Sequence, residues 1–523
     1  MNLVRALGTG LLASALMACG DGSSSASNMA TGSNDPAPAT SLPLLGNLAT
    51  ASTDDPACGT YPDASAEFAA CEQKNFARVS EAPREEASNP VFLQRAQEQS
   101  LANLQSYLER IAADPSYLPL SAGGASLNTP VTPLCSTWGL QCVGDPFRYP
   151  GIDPFYEREA VAEPVTYYDR DCARISGRVW RPKNATGQLP TVVIENGSVQ
   201  APEPLYWWMA QALVRSGYAV MTFDPRGQGR SDQQTPMGGQ GSNANSAVFW
   251  EGLVDAIDFF RSTPAKPYPH NTTCAGTYPT VVTAFNPQHV VQDRERLGIV
   301  GHSLGATGVS IVQGYGGVGA DPWPGKMDAA NPVDVAVAWD GLLAPDGTSA
   351  GGAGGNLPGL TGFAGQSTTY PKFAARVPSM GQNGEYGLTP IPFTKTPPKD
   401  GHLTPFKAWQ AAGVPVFDIT IRGSSHYEWS LLPSFPASSW CPEVKDGRCV
   451  GGWGRPMAEH YTLAWLDRWL KRDGETGFAD ADTRLLADSQ FLPRFSFYFQ
   501  SVRDFPTRSG QRVRCADVLA GCP

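Results

Sequence analysis

The stretch RLGIVGHSLGATG, residues 296–308, runs from a short apolar segment into a serine that lies between two glycines. The apolar residues predict a buried strand that ends near Gly301, and residues 306–313 predict a helix that follows at once. A sharp strand-to-helix turn with small residues on both sides of a serine projects the hydroxyl above a sheet. The sequence therefore predicts that Ser303 is a nucleophile.

The same five-residue pattern occurs a second time, in GTSAG at residues 347–351. With 55 glycines in 523 residues, chance matches to such a pattern are expected. No strand-like segment leads into Ser349, which lies in a glycine-rich run. Because a nucleophile turn needs a strand before it, the context favours Ser303 over Ser349.

Strand-like and helix-like segments alternate from about residue 160 onwards. Continuous apolar strands separated by helices indicate a mostly parallel sheet that is covered by helices on both faces. The predicted fold class is therefore α/β. The strand-like segments are 191–196, 218–223, 297–300, 333–339 and 414–421, and the helical ones are 205–216, 249–262 and 457–471.

The N-terminus has the pattern of an export signal. Arg5 precedes a short apolar stretch that ends in LMACG at residues 16–20, which resembles the lipobox of bacterial lipoproteins. We expect residues 1–19 to be a lipoprotein signal peptide and Cys19 to be lipidated, with a plain secretory signal as the alternative. Residues 20–56 are small and polar, which predicts a flexible tether.

The remaining chain divides into two parts. Residues 57–159 are expected to form an accessory segment of unknown role, mostly Pro/Gly-rich loop apart from a helical apolar period over residues 90–113. Residues 160–523 are expected to form the α/β domain. A glycine-rich insertion at about residues 342–376 interrupts that domain and is a candidate rim or lid.

Ten cysteines besides Cys19 agree with export to an oxidising compartment, where an even count suggests disulfides. Spacing alone does not fix the connectivity, although Cys441/Cys449 and Cys515/Cys522 are close pairs. No Cys-x-x-Cys motif occurs, so a zinc ribbon is not expected. The cysteines are at positions 58, 71, 135, 142, 172, 274, 441, 449, 515 and 522.

Composition excludes some classes of partner. The net charge of −10 disfavours nucleic acid and electrostatic docking to anionic lipid, both of which need a basic face. A phosphate-binding Gly-x-x-x-x-Gly-Lys-Ser/Thr loop and a His-Glu-x-x-His metal motif are both absent. We therefore expect no cofactor, no metal and no nucleic-acid partner.

A serine hydroxyl needs a base to accept its proton, and the chain has only six histidines. His426 follows the predicted strand 414–421, and ligands of parallel sheets bind at the carboxyl ends of the strands. His302, inside the serine motif, is expected to point away from the site. The sequence predicts that His426 is the base.

The base in turn needs a carboxylate, and two candidates lie between Ser303 and His426. Asp340 directly follows the predicted strand 333–339. Glu385 lies in RVPSMGQNGEYGLTP, residues 376–390. The residues alone leave both candidates open.

Several stretches resemble α/β-hydrolases, and in layout the cutinase-like polyester hydrolases and dienelactone-hydrolase-like esterases. The likeness extends over about residues 160–472, and the serine turn and histidine loop are its most specific parts. The resemblance implies an α/β-hydrolase fold with serine, acid and histidine in that chain order. The stretches are LYWWMAQALVRSGYAVMTFDPRGQGRSD (205–232), DRERLGIVGHSLGA (293–306), AVAWDG (336–341), ITIRGSSHYEW (419–429) and MAEHYTLAWLDRWLKRDGE (457–475).

The resemblance also implies roles for individual residues. The acid of such enzymes usually follows the strand after the tryptophan-containing one, which implies Glu385, with Asp340 as the alternative. The oxyanion donors would be the backbone N–H groups of Leu304 and Ser198. Trp339 and Tyr427 are the expected substrate-binding residues, at the acyl pocket and beside the base.

The expected function is therefore hydrolysis of a small, medium or lipid-like carboxylic ester through an acyl-enzyme. The protein would be exported and lipid-anchored to the bacterial cell envelope, so the membrane is an expected partner. The alternatives are a serine peptidase, a carbon–carbon bond hydrolase and a surface lipoprotein without catalytic activity.

Overall fold

The structure is a computed structural model. It divides the chain into residues 1–52 and residues 53–523, and every described residue belongs to the second unit. The predicted signal peptide, Cys19, the tether and Ser349 lie outside the described residues. The described ranges are 57–88, 90–117, 144, 147–198, 201–241, 245–347, 370–430, 443–445, 448–450 and 454–522.

Ten strands form one mixed sheet, and two more form a separate small hairpin. The described strands are β1 (Ala160–Tyr168), β2 (Arg174–Pro182), β3 (Leu189–Glu195), β4 (Ala219–Asp224), β5 (Gln292–His302), β6 (Val335–Trp339), β7 (Ser379–Gly384), β8 (Val416–Ile421), β9 (Glu443–Lys445), β10 (Arg448–Val450), β11 (Val502–Pro506) and β12 (Arg512–Cys515). The order across the large sheet is β1-β2-β4-β3-β5-β6-β7-β8-β11-β12, and the hairpin is β9-β10.

The six central strands, β4-β3-β5-β6-β7-β8, run parallel. The outer pairs on both sides, β1-β2 and β11-β12, are antiparallel to their neighbours. All five strand-like segments predicted from apolar runs are among the central six, which confirms the predicted α/β class. Strand β7 has the sequence SMGQNG, with two glycines and no β-branched residue, so it has no apolar run.

Helices cover both faces of the sheet, as predicted. Strand side chains alternate between two cores: Val192 and Ile194 pack with the helices Trp207–Arg215 and Arg455–Leu470, whereas Val193 packs with the helices Val248–Phe260 and Leu304–Gly314. The helices are α1 (Ala66–Ser88), α2 (Pro90–Ala113), α3 (Phe155–Arg158), α4 (Trp207–Arg215), α5 (Val248–Phe260), α6 (Pro269–Thr273), α7 (Leu304–Gly314), α8 (Thr404–Ala411), α9 (Arg455–Leu470) and α10 (Ala481–Leu485).

The described part of the accessory segment contains one helix that was predicted, α2, and two that were not, α1 and the single-turn α3. The apolar period over residues 90–113 corresponds to α2, whereas the expectation of loop before it is wrong over α1. Phe68 is buried on α1, but the next buried side chains at helical spacing are Glu72, Asn75 and Arg78. Because these residues are polar, α1 has little apolar periodicity in the sequence.

Three disulfides join described cysteines: Cys58–Cys71, Cys172–Cys274 and Cys515–Cys522. The predicted pair of the last two cysteines is thereby confirmed. Cys135, Cys142 and Cys441 lie outside the described residues, and at 449 only the backbone is described, so the pair Cys441/Cys449 stays a prediction. Within the described part of the chain, no helix is both long and apolar enough to cross a membrane.

Candidate active site

Ser303 lies at the turn between β5 and α7, in the context predicted from the sequence. Its backbone has φ 59° and ψ −125°, a conformation that a non-glycine residue rarely adopts. Close packing explains the flanking glycines. A Cβ at Gly305 would lie 2.3 Å from the carbonyl oxygen of Asn196, and one at Gly301 would lie 2.5 Å from the Gly305 oxygen. The turn is therefore tight enough to require small neighbours.

Ser303 belongs to a chain of three hydrogen-bonded side chains. Its Oγ lies 2.8 Å from His426 Nε2, and His426 Nδ1 is hydrogen-bonded to Asp340 Oδ2. All three residues are buried, Ser303 being 5% exposed. The alternative acid, Asp340, thus occupies the position in which a carboxylate orients the imidazole.

Backbone contacts from the neighbouring strand hold Asp340 in place. It follows β6 directly with φ 50°, and its N–H donates to the Gln382 oxygen at 2.6 Å. Its Oδ1 accepts the Gly384 N–H at 2.8 Å. Burial alone would raise the pKa of Asp340, but the hydrogen bond and charge of His426 and the Gly384 N–H together lower it. The group is therefore held as a carboxylate.

The structure corrects the assignment of the acid to Glu385, whose carboxylate has other partners. Oε2 accepts Asn75 Nδ2 at 2.7 Å and the Gly423 N–H at 2.8 Å, and Oε1 accepts the Ser496 hydroxyl at 2.5 Å. Burial raises the pKa of Glu385, and these hydrogen bonds offset the rise only in part. Glu385 thus binds the start of the histidine loop and α1 rather than His426.

The histidine loop begins where β8 ends. His426 opens a short 3-10 helix, Ser425 caps it by accepting the Tyr427 N–H, and the His426 N–H donates to the Gly387 oxygen at 3.0 Å. A Cβ at Gly384 would lie 2.7 Å from the Ser425 carbonyl carbon. The glycine that made β7 hard to recognise is therefore what lets the loop approach the strand.

The two predicted oxyanion donors come after two neighbouring parallel strands, Leu304 after β5 and Ser198 after β3. Leu304 begins α7, where first-turn N–H groups have no partner within the helix and the helix dipole is positive. Ser198 follows β3, next to Gly197, and a Cβ at Gly197 would lie only 3.2 Å from Ser303 Cβ. The turn after β3 therefore lies close to Ser303, while the role of Ser198 stays a prediction.

The predicted substrate-binding aromatics differ in exposure. Trp339 is fully buried, its indole N–H donates to Thr462 Oγ1 at 3.1 Å, and it stacks with Trp208. It therefore belongs to the core in this structure rather than to the wall of an open pocket. Tyr427 is half-buried with its ring centroid 5.7 Å from that of His426, and its role stays a prediction.

One contact contradicts the expected orientation of His302. Its ring centroid lies 4.6 Å from that of His426, and Nε2 is 2.7 Å from the His426 carbonyl oxygen. The sequence offered no signal for this contact, since the two histidines are 124 residues apart. His302 thus faces the histidine loop.

Comparison with known proteins adds no family assignment: neither a protein-family model nor a curated protein matches the chain. No group of three His, Cys, Asp or Glu residues is placed to hold a metal ion in the part of the chain that the structure describes. Chemically, the arrangement can remove a proton from a serine hydroxyl and stabilise the positive charge that forms on the imidazole.

Proposed function

We propose that this chain is a serine hydrolase of the α/β-hydrolase fold that cleaves carboxylic esters through an acyl-enzyme on Ser303. The observation that carries the proposal is the hydrogen-bonded series Ser303–His426–Asp340, at the carboxyl ends of parallel strands. Further support comes from the mixed sheet with a parallel centre and helices on both faces. The strained backbone at the serine turn is also typical of functional sites.

In the proposed reaction, Ser303 Oγ attacks the ester carbonyl carbon while His426 Nε2 takes the hydroxyl proton. Asp340 accepts the hydrogen bond from Nδ1, which keeps Nε2 free as the base and stabilises the imidazolium. The tetrahedral intermediate then expels the alcohol, which takes the proton from His426. Water, deprotonated by the same histidine, hydrolyses the acyl-enzyme and restores the serine.

The oxyanion of the intermediate needs donors that are already oriented before the reaction. The Leu304 N–H at the start of α7 is the proposed first donor, with Ser198 as the second. Removing one such donor typically costs about 3 kcal/mol of transition-state stabilisation. Small and medium apolar esters are the proposed substrate class.

The test is hydrolysis of p-nitrophenyl acetate, butyrate and octanoate by the chain without residues 1–19. Ser303→Ala should reduce kcat by about 10⁴-fold or more, to the residual level of binding and oxyanion stabilisation. Ser349→Ala, in the second copy of the motif, is the matched control and should leave kcat unchanged. Wild type without turnover, or loss only in Ser349→Ala, would contradict the proposal.

We further propose that the protein is exported and lipid-anchored through Cys19. The three disulfides support an oxidising compartment, because such bonds rarely persist in the cytosol. Expression in bacteria with a labelled fatty acid should label the wild type and leave Cys19→Ala unlabelled. Equal labelling of the two chains would refute lipidation at this cysteine.

A further inference from the structure

His302 and Tyr206 connect the turn after β3 to the histidine loop through a continuous series of hydrogen bonds. The Gly197 N–H donates to Tyr206 Oη at 2.9 Å, and that hydroxyl lies 2.9 Å from His302 Nδ1. His302 Nε2 lies 2.7 Å from the His426 carbonyl oxygen. The series therefore ends at two backbone groups, the Gly197 N–H in the turn after β3 and the His426 carbonyl in the histidine loop.

The chemistry of the two ends fixes the direction of every bond. A carbonyl oxygen can only accept, so His302 Nε2 must carry the hydrogen that points at His426. Burial, and then the nearby His426 ring, lower the pKa of His302 to about 3, so its ring is neutral and Nδ1 has no hydrogen. The Tyr206 hydroxyl must then donate to Nδ1, which leaves its oxygen free to accept the Gly197 N–H.

The groups in this series are buried, so water cannot replace a lost partner. Tyr206 is fully buried and stacks on Trp339, and His302 is 3% exposed. Burial also raises the pKa of Tyr206, which keeps the phenol protonated. The Ser430 hydroxyl lies near Tyr206 Oη and can donate a hydrogen bond to it. Losing the Tyr206 hydroxyl would leave two buried polar groups, Gly197 N–H and His302 Nδ1, without this partner.

We propose that Tyr206 and His302 are positioning residues. They hold His426, the proposed base, and the oxyanion turn, which is the turn after β3 with Gly197 and Ser198, at fixed positions around Ser303. The inference rests on the proposed function, because the groups they hold are its base and its predicted oxyanion turn. Neither side chain needs to touch the substrate. They act through the backbone, at the His426 carbonyl on one side and the Gly197 N–H on the other.

The kinetic test compares two tyrosine-to-phenylalanine variants. Tyr206→Phe should lower kcat for p-nitrophenyl butyrate by about 10- to 100-fold with KM within twofold, because misplacement of reacting groups lowers the rate of the chemical step. Tyr167→Phe is the matched control. Tyr167 is also fully buried and stacks on Phe259, and its hydroxyl has no hydrogen-bond partner among the described residues. Equal kcat in the two variants would overturn the proposal.

A rescue experiment separates positioning from packing. His302→Gln keeps an N–H donor for the His426 carbonyl and an oxygen that can accept from Tyr206, so kcat should stay within about tenfold of wild type. His302→Phe fills the space without either bond and should lose about 100-fold. Thermal unfolding should first show that both variants are folded at the assay temperature. Equal kcat losses in folded Gln and Phe variants would count against the proposal.

A measurement without substrate tests the hydrogen-bond directions on their own. Nitrogen-15 NMR of histidine-labelled protein at pH 7 should show His302 as the neutral tautomer with hydrogen on Nε2. Tyr206→Phe should leave the hydrogen on Nε2, because the His426 carbonyl can still only accept, and should shift the Nδ1 resonance as that nitrogen loses its hydrogen-bond donor. An Nδ1–H tautomer in the wild type would refute the series even if esterase activity is present. The expected tautomer in an inactive wild type would instead place the failure in the proposed function.

Discussion

Two buried carboxylates follow neighbouring parallel strands, but they have different hydrogen-bond partners and pKa values that are shifted in opposite directions. Asp340 comes directly after β6 and Glu385 directly after β7, so both lie at the edge of the sheet where the parallel strands end. Asp340 faces His426, and its pKa is lowered. Glu385 faces α1 and the start of the histidine loop, and its pKa is raised. Position after a strand therefore identifies candidates for the acid, but the partner decides the role.

The contrast also explains what the accessory segment contributes. Asn75 on α1 donates to Glu385 and to the Tyr386 hydroxyl, and its side-chain oxygen accepts from Arg422. The Cys58–Cys71 disulfide ties the same helix to the chain before it. Helix α1 thus packs against the loop that carries His426, the proposed base, and Glu385 is hydrogen-bonded to both.

The largest expected effect separates the two carboxylates by activity. Asp340→Asn should lower kcat by about 10⁴-fold, because an amide in place of the carboxylate favours the wrong tautomer of His426. Glu385→Gln should keep kcat within about tenfold of wild type, since the amide oxygen can accept from Asn75 and Gly423 while its N–H₂ donates to Ser496. Kinetics on p-nitrophenyl butyrate test both. Comparable losses in the two variants would break the distinction between these acids.

A smaller effect should appear in stability against pH, with opposite signs. The folded-state pKa of Glu385 is raised, so the folded state binds more protons than the unfolded state between the two values. Its contribution to the free energy of unfolding therefore falls as pH rises above about 4.5. Asp340 has a lowered folded-state pKa, so its contribution is present above its unfolded value of about 4 and is lost as pH falls.

Denaturant unfolding of the two variants between pH 2 and pH 8 measures these contributions, with the Asp340 change below about pH 4 and the Glu385 change above about pH 4.5. The stability of Glu385→Gln relative to wild type should increase with pH, whereas that of Asp340→Asn should decrease. Differences between variant and wild type remove the titrations that both proteins share. Slopes of the same sign would show that the two carboxyl groups do not differ in the way their contacts indicate.

The central sheet was predictable because its strands are buried on both faces. Segments such as residues 191–196 and 414–421 are continuous apolar runs, and both are strands of the parallel centre. Strand β7 was not recognisable by that criterion. It contains glycines, one of which allows the histidine loop to approach the strand closely, in place of an apolar run. Helix α1 was missed for a related reason: its buried face is largely polar and matches polar partners in the α/β domain.

For the candidate site, the sequence by itself predicted Ser303 and His426, and the structure places Ser303 Oγ 2.8 Å from His426 Nε2. Their signals are local in the sequence. Glycines flank Ser303, as a tight turn requires, and His426 comes shortly after an apolar strand. Only the tertiary structure decided between Asp340 and Glu385 and turned His302 towards His426. Those choices depend on which groups meet across residues distant in sequence, where backbone direction and hydrogen-bond partners, rather than residue type, determine the contact.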